Sequence, residues 1–234
     1  MSGTLNAKEK AAREKIEKIL GEIIVPKRRT PRQVLIAMIG LVGSGKSTVA
    51  RALGEEIGAY VSSNDDIRRE LNLFGEKYDS TVAIARAIAN RVLDQGGNLI
   101  IDADTVTSSH QEDVANRAGA RGVEAFFVRT YSNMDVAIGR ILTANYAENQ
   151  FFTSVISADW KGEKLPSIVR LRELVRRVPF HYDWEPEGNI GRLHLKELGV
   201  ELCATIDTAQ DLGPAIRALG ERLRSVSNDL TMTP

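Results

Sequence analysis

Gly40-Leu41-Val42-Gly43-Ser44-Gly45-Lys46-Ser47-Thr48 follows the apolar run Val34-Leu35-Ile36-Ala37-Met38-Ile39 and leads into Val49-Ala50-Arg51-Ala52-Leu53-Gly54-Glu55-Glu56-Ile57. Strand, glycine-rich turn and helix is the setting a phosphate-binding loop requires, and the spacing G-x-x-x-x-G-K-S/T is met in full. Gly40, Gly43 and Gly45 let the backbone turn tightly and aim its N–H groups at an anion. A helix starting at Lys46 adds its positive dipole end. Lys46 is expected to reach the β- and γ-phosphates, and the Ser47 hydroxyl to join a magnesium shell. The competing reading, a turn that merely joins strand to helix, leaves the lysine and hydroxyl unexplained. Residues 40–48 are therefore expected to bind a nucleotide.

The rest of the chain bounds what that nucleotide serves. Its 234 residues suffice for a full hydrophobic core. Lys+Arg and Asp+Glu both number 31, so net charge gives no overall pull toward nucleic acid or membrane. The single cysteine, Cys203, excludes an internal disulfide and a cysteine-rich zinc site. No stretch approaches the roughly 18 apolar residues of a membrane helix, and Lys and Glu recur through residues 8–22 where a signal peptide would be apolar. The expectation is a cytoplasmic protein with no membrane partner.

Residues 7–24 read as an amphipathic helix, with Ala12, Ile16, Ile19, Leu20 and Ile23 on one face. Pro26 ends it and a basic linker follows. Residues 1–33 hold nine Lys/Arg against four Glu, which suits either a solvated helix lying on the domain or contact with a nucleic-acid backbone. From Val34, strands alternate with helices, which implies a parallel sheet covered on both faces. Further strands are expected at 59–62, 98–102, 123–130 and 201–207. Helices are expected from Ser63, over about 80–94, from Ser109 (a capping-box spacing) to Gly119, from Asn133 to about Tyr146, and over 212–225.

Between Ala147 and Gly199 the alternation fails. Seven of the thirteen aromatics fall between residues 146 and 184, and residues 161–180 carry six Lys/Arg against two Glu. Such an insertion suits a lid or acceptor-binding element, or a segment whose aromatics only pack it onto the sheet. The expected organisation is an N-terminal helix and linker (1–33), a nucleotide-binding domain (34–226) with an insertion (147–199), and a frayed tail (227–234).

Several nucleotide-hydrolysing classes leave signatures that this sequence lacks. There is no N-K-x-D tetrapeptide to read guanine, no L-S-G-G-Q, and no acidic pair closing the strand at Asp102. A small kinase remains. The order of Gly40–Thr48, Val61-Ser62-Ser63-Asn64-Asp65-Asp66-Ile67-Arg68 and Gly97-Asn98-Leu99-Ile100-Ile101-Asp102-Ala103-Asp104 resembles the P-loop kinase family that includes polynucleotide 5′-kinases. Zeta-type toxins and small-molecule kinases are its neighbours. The resemblance, to an AAA-type ATP-binding kinase domain, covers 34–145 well and 200–220 loosely.

It implies an α/β three-layer fold with a five-stranded parallel sheet of order 2-3-1-4-5 and a lid. It also implies ATP and Mg2+, with Asp65 taking the proton from an acceptor hydroxyl and Arg68 holding an acceptor phosphate. A carboxylate beside the phosphate loop suits the first role, and a guanidinium one turn along the helix suits the second. Ser63-x-x-Asp66 also has capping-box spacing, which offers Asp65 and Asp66 a purely local use. Asp102, ending its strand near Ser47, is the expected magnesium partner. Asp104 stands where the resembled motif has Asn, which leaves its role open. Arg140 matches a lid arginine over the transferring group. A second such arginine is missing, and Arg170, Arg172, Arg176 and Arg177 are the candidates to supply it.

The acceptor is expected to be a hydroxyl: a polynucleotide 5′-hydroxyl on single-stranded nucleic acid, or a nucleotide, sugar or antibiotic-like metabolite. A nucleotide-dependent switch without kinase activity is the reading from another class.

Overall fold

The computed structural model describes residues 14, 16–73, 81–145, 166–188 and 190–225. Strand β1 (Val34–Ile39) is buried along its whole length. Alternation along a strand sends successive side chains to opposite faces. Leu35, Ala37 and Ile39 enter one core, and Val34, Ile36 and Met38 enter the other. Helices α1 (Lys46–Ile57) and α7 (Leu212–Ser225) cover the second face through Val49, Leu53, Ile57, Ile216, Leu219 and Leu223. Helices α3 (Thr81–Asp94) and α4 (Ser108–Gly119) cover the first through Ile84, Ile88, Val92, Val114 and Ala118. The result is a three-layer α/β fold.

Strands β2 (Ala59–Ser63), β3 (Asn98–Asp102), β4 (Glu124–Tyr131) and β7 (Leu202–Asp207) complete a parallel sheet. Its order is β2-β3-β1-β4-β7. This is the expected 2-3-1-4-5 arrangement. The fifth sheet strand is β7 because an antiparallel hairpin, β5 (Tyr182–Glu187) and β6 (Ile190–Leu195), intervenes in sequence. Helices α2 (Asn64–Leu73), α5 (Met134–Thr143) and α6 (Pro166–His181) belong to the site side of the molecule.

Side-chain caps mark the starts of α2 and α5. Ser63 Oγ accepts from Asp66 N at 3.4 Å, and Asn133 Oδ1 accepts from Asp135 N at 2.9 Å. Helix α4 differs from expectation. It begins at Ser108 with Thr107 as its N-cap and no side-chain cap bond, so the Ser109 capping box is not formed. The described part of the insertion is α6 followed by the hairpin, and Tyr146, Phe151, Phe152 and Trp160 lie outside the described residues. So do most of the N-terminal helix before residue 14 and the tail beyond 225.

Within the described N-terminal segment, residues 16–21 are helical. Ile16, Ile19, Leu20, Ile23 and Val25 pack against the first core. The linker is bolted to the sheet's lower edge, where Arg29 N donates to Ile57 O at 2.8 Å. No helix among the described residues is long and apolar enough to cross a membrane.

Asn98 knots this edge together. Fully buried, it accepts from Val34 N at 3.0 Å and donates to Thr30 Oγ1 at 2.8 Å and to Ile57 O at 3.0 Å. Removing it strands the buried Val34 N–H and takes one of its two donors from Ile57 O, which keeps Arg29 N. Asn98→Ala is expected to cost about 2–4 kcal/mol, read as a lower urea midpoint at unchanged m-value.

Candidate active site

The strand order sets the site. With β3 between β2 and β1, the segments leaving all three carboxyl ends lie side by side, and Ser63 is in register with Asp102. Thr105 fixes β3's exit to β1 through N and Oγ1, both donating to Met38 O, at 3.1 and 2.8 Å. Crevices of this kind, beyond the carboxyl ends of parallel strands, are where α/β proteins bind ligands.

In the phosphate loop Gly43 and Gly45 have φ of 79° and 80°. A Cβ at Gly43 would lie 2.6 Å from Ala137 O, and one at Gly45 would lie 2.9 Å from Thr208 Cβ, so both conformation and space require glycine. The loop is braced from behind. Thr208 Oγ1 donates to Ser44 O at 2.9 Å, and the Ser44 and Thr130 hydroxyls meet at 2.9 Å. Arg140 donates to Gly43 O at 3.2 Å, to Thr208 Oγ1 at 2.8 Å and to Thr208 O at 2.6 Å. Its guanidinium lines the pocket while joining the loop to the end of β7.

Lys46 Nζ donates to Gly40 O and Leu41 O at 2.6 and 2.8 Å. Burial lowers its pKa from the usual lysine value, against the opposing pull of Asp104, Asp102 and Asp65. Asp102 accepts a hydrogen bond from Ser47, and burial pushes its carboxyl up while that bond and Lys46 pull it down. A hydroxyl and one carboxylate in contact form a donor set that suits Mg2+, which keeps most of its shell for water and phosphate oxygens. Among the described residues no group of three or more His, Cys, Asp or Glu could hold a metal by itself.

Asp65, at the start of α2, accepts from Arg68 at 3.1 Å on one oxygen and from Arg170 at 2.8 Å on the other. Of the four arginines considered for the missing position, Arg170 is the one bonded to Asp65. Arg177 and Arg176 also line the pocket.

Asp104 has a definite role. Gly40 N donates to Oδ1 at 3.3 Å, while Arg177 Nε and His181 Nε2 lie 3.0 Å from Oδ2. Burial alone would raise its pKa, but His181, Lys46 and Arg177 reverse that and hold it far below the usual carboxylate range. Asp65 and Asp104 thus fasten α6 across the crevice. A third fastening is Arg129, which is only 5% exposed and donates to His181 O at 2.8 Å and Lys196 O at 2.7 Å. Sequence reading missed Arg129, His181 and Thr208. A lone arginine inside an apolar strand was the one signal available for the first.

The pocket is an open crevice with a volume of about 780 Å3 that reaches from the phosphate loop to α2, α3, α4 and α6. It includes Lys46, Ser47, Asp65, Arg68, Asp102 and Arg140. Phe180, Tyr182 and Trp184 do not line it. Trp184, 64% exposed, lies over Gly191 of the hairpin, where a Cβ would come within 2.0 Å of the indole.

Because the folded-state pKa of Asp104 is depressed, its contribution to stability is fully present above the unfolded carboxyl value of about 4. It is lost as pH falls toward the folded value. Asp104→Asn is therefore expected to be less stable than wild type at pH 7. The difference should shrink progressively below about pH 4, measured by paired denaturant titrations across pH.

Residues 35–141 match the family model described as AAA domain. The chain is similar to a UPF0200 protein of Aeropyrum pernix, at 29% identity over 129 residues. That match covers 48% of this chain and 66% of the relative, so the chain spans just under two thirds of the relative's length. Among solved structures it is similar to a gluconokinase from Sinorhizobium meliloti, with 19% identity and a TM-score of 0.49 over 84% of this chain and 95% of that one. It is also similar to the Mycobacterium tuberculosis APS kinase solved with AMPPNP and APS, with 18% identity and a TM-score of 0.46 over 82% and 96%.

Proposed function

We propose that this chain, whose residues 35–141 match the AAA domain model, is a P-loop kinase that transfers the γ-phosphoryl group of ATP to a hydroxyl acceptor. The observation that carries the reading is the juxtaposition in one pocket of Lys46, the Ser47–Asp102 pair and Asp65. The first three suit the donor, and Asp65 suits an acceptor proton.

In the proposed reaction, the loop N–H groups and Lys46 hold the phosphates, which requires Lys46 to exchange its two carbonyl partners for phosphate oxygens. Ser47 and Asp102 would hold Mg2+, which supplies charge neutralisation at the phosphate oxygens when bound. Asp65 accepts the proton of the acceptor hydroxyl as the acceptor oxygen bonds to Pγ. The bond from Pγ to the β,γ-bridging oxygen breaks, and ADP leaves with that electron pair. A carboxylate offers about four lone-pair sites, so Asp65 can keep both arginine contacts and still meet a hydroxyl. Arg68 orients the acceptor beside it. Arg170 supplies the guanidinium missing from α5, and Arg140 keeps the loop in shape from the pocket wall.

Phe180, Tyr182 and Trp184 lie outside the pocket, so these three offer no stacking platform beside Asp65.

Labelled ATP with magnesium and pools of nucleosides, sugars and oligonucleotides tests the reading. Asp65→Asn is expected to lower transfer by at least about 100-fold while leaving nucleotide binding intact. Slow hydrolysis that ignores both the acceptor and Asp65 would reject it. Lys46→Ala is expected to weaken nucleotide binding by about 10- to 100-fold, since it removes a charge-assisted phosphate contact, measured by titration with a fluorescent ATP analogue.

A further inference from the structure

The basic stretch Lys27-Arg28-Arg29-Thr30-Pro31-Arg32 lines no part of the pocket. It lies at the amino ends of β1 and β3, the end of the sheet away from the phosphate loop. Its backbone is firmly seated there. Arg29 N donates to Ile57 O at 2.8 Å. Thr30 is buried, accepts from Asn98 at 2.8 Å and donates to Arg32 O at 2.7 Å. Gly58, the C-cap of α1, has φ of 64° and lies so close beneath that a Cβ there would come within 2.1 Å of Lys27 O. Upstream, Ile23 and Val25 pack against the first core.

The side chains are not seated. Lys27, Arg28, Arg29 and Arg32 are all exposed, and among the described residues none of their side chains makes a hydrogen bond or ion pair. Carboxylates on the adjoining elements have other partners: Glu56 pairs with Arg224 and Asp94 with Arg121, each at 2.8 Å. Nor does the end of α1 call for these cations. Its carbonyls at Gly54, Glu56 and Ile57 accept from Gly58 N, Arg224 and Arg29 N. Four unmatched positive charges thus stand within six residues of a chain whose net charge is zero.

The chemistry narrows the partner. Guanidiniums match phosphate through their planar fork, and cations carried on a fixed backbone lose less freedom on binding. Residues 27–32 contain no aromatic side chain, so they offer no platform on which the bases of a single strand could stack. They are also poorly suited to a membrane surface, which takes up an apolar face along with the charge. The apolar residues just upstream, Ile16, Ile19, Leu20 and Ile23, are used in the core, and Ile24 is the exposed one. A regular row of phosphates fits what is present.

We infer that Lys27, Arg28, Arg29 and Arg32 form an interaction surface for the phosphate backbone of double-stranded nucleic acid, engaged without regard to base sequence. This surface is separate from the pocket and does not depend on the kinase reading.

The test titrates the full chain against labelled mixed-sequence duplexes of DNA and of RNA by fluorescence anisotropy, over a series of potassium chloride concentrations. Four phosphate contacts predict that the logarithm of the binding constant falls with the logarithm of salt concentration at a slope of about −3.5. Arg28→Gln and Arg32→Gln are each expected to flatten that slope by about one. Because neither side chain has a partner among the described residues, both variants should melt with the wild type. Arg192→Gln, which removes an exposed arginine of the hairpin, should leave the slope as it is, and so should magnesium with AMPPNP. No binding of either duplex at low salt, or a slope indifferent to Arg28 and Arg32, overturns the surface. So does an equal loss in Arg192→Gln, or displacement of the duplex by AMPPNP, which would place it in the crevice. Tighter binding to phosphatidylglycerol vesicles than to either duplex overturns the choice of partner.

Discussion

Val34–Ile39 has no side facing solvent, and much of the architecture follows from that. Each residue of β1 is committed to one of two cores, so a shift by one residue would exchange the contents of both. The carboxyl end of β1 is thereby fixed in three dimensions, and Gly40 starts its loop from a point that cannot drift. Neighbouring β3 and β4 are held to β1 in parallel register. Through β3 the constraint passes to Asp102 and Asp104. Through β4 and β7 it passes to Thr130 and Thr208, which brace the back of the loop. Precision at the site is inherited from burial at the centre of the sheet.

The two carboxylates that hold α6 are held by different physics. Asp104 is largely buried, and its desolvation opposes ionisation. It is nevertheless kept ionised because His181, Lys46 and Arg177 all converge on it. Asp65 is about half exposed, so its pairs with Arg68 and Arg170 are screened and contribute little to stability. Both border the pocket, and Asp65 is the more accessible of the two.

The sequence made the centre of this molecule legible because local pattern and tertiary role coincide there. An apolar strand, a glycine loop and a helix predicted themselves over 34–57, and the other sheet strands were located to within a residue or so. The insertion was opaque for a physical reason. Strand β5 is exposed at five of its six positions and contains a proline, so no apolar alternation marks it. Asp104 was recognised as a departure from the resembled motif, but its partners lie 73 and 77 residues away and obey no local rule. Arg140 was legible as a site arginine, whereas its brace to Gly43 and Thr208 depends on how the end of β7 approaches α5. That Arg170, of the four candidates, pairs with Asp65 likewise depends on which face of α6 meets α2.

The ends of α6 are unlike each other in stiffness. At His181 the helix passes into β5 with no intervening loop, and its last carbonyl accepts from both Arg129 and Lys196 N. These bonds tie that end to the central sheet through buried, short-range contacts. At Arg170 the tie is an ion pair to a half-exposed carboxylate, within reach of the ionic atmosphere. Leu171 and Leu174 add an apolar hold on Ala137 and Ile141 of α5, so added salt would loosen the polar tie beside Asp65 and leave the helix seated on its hydrocarbon side.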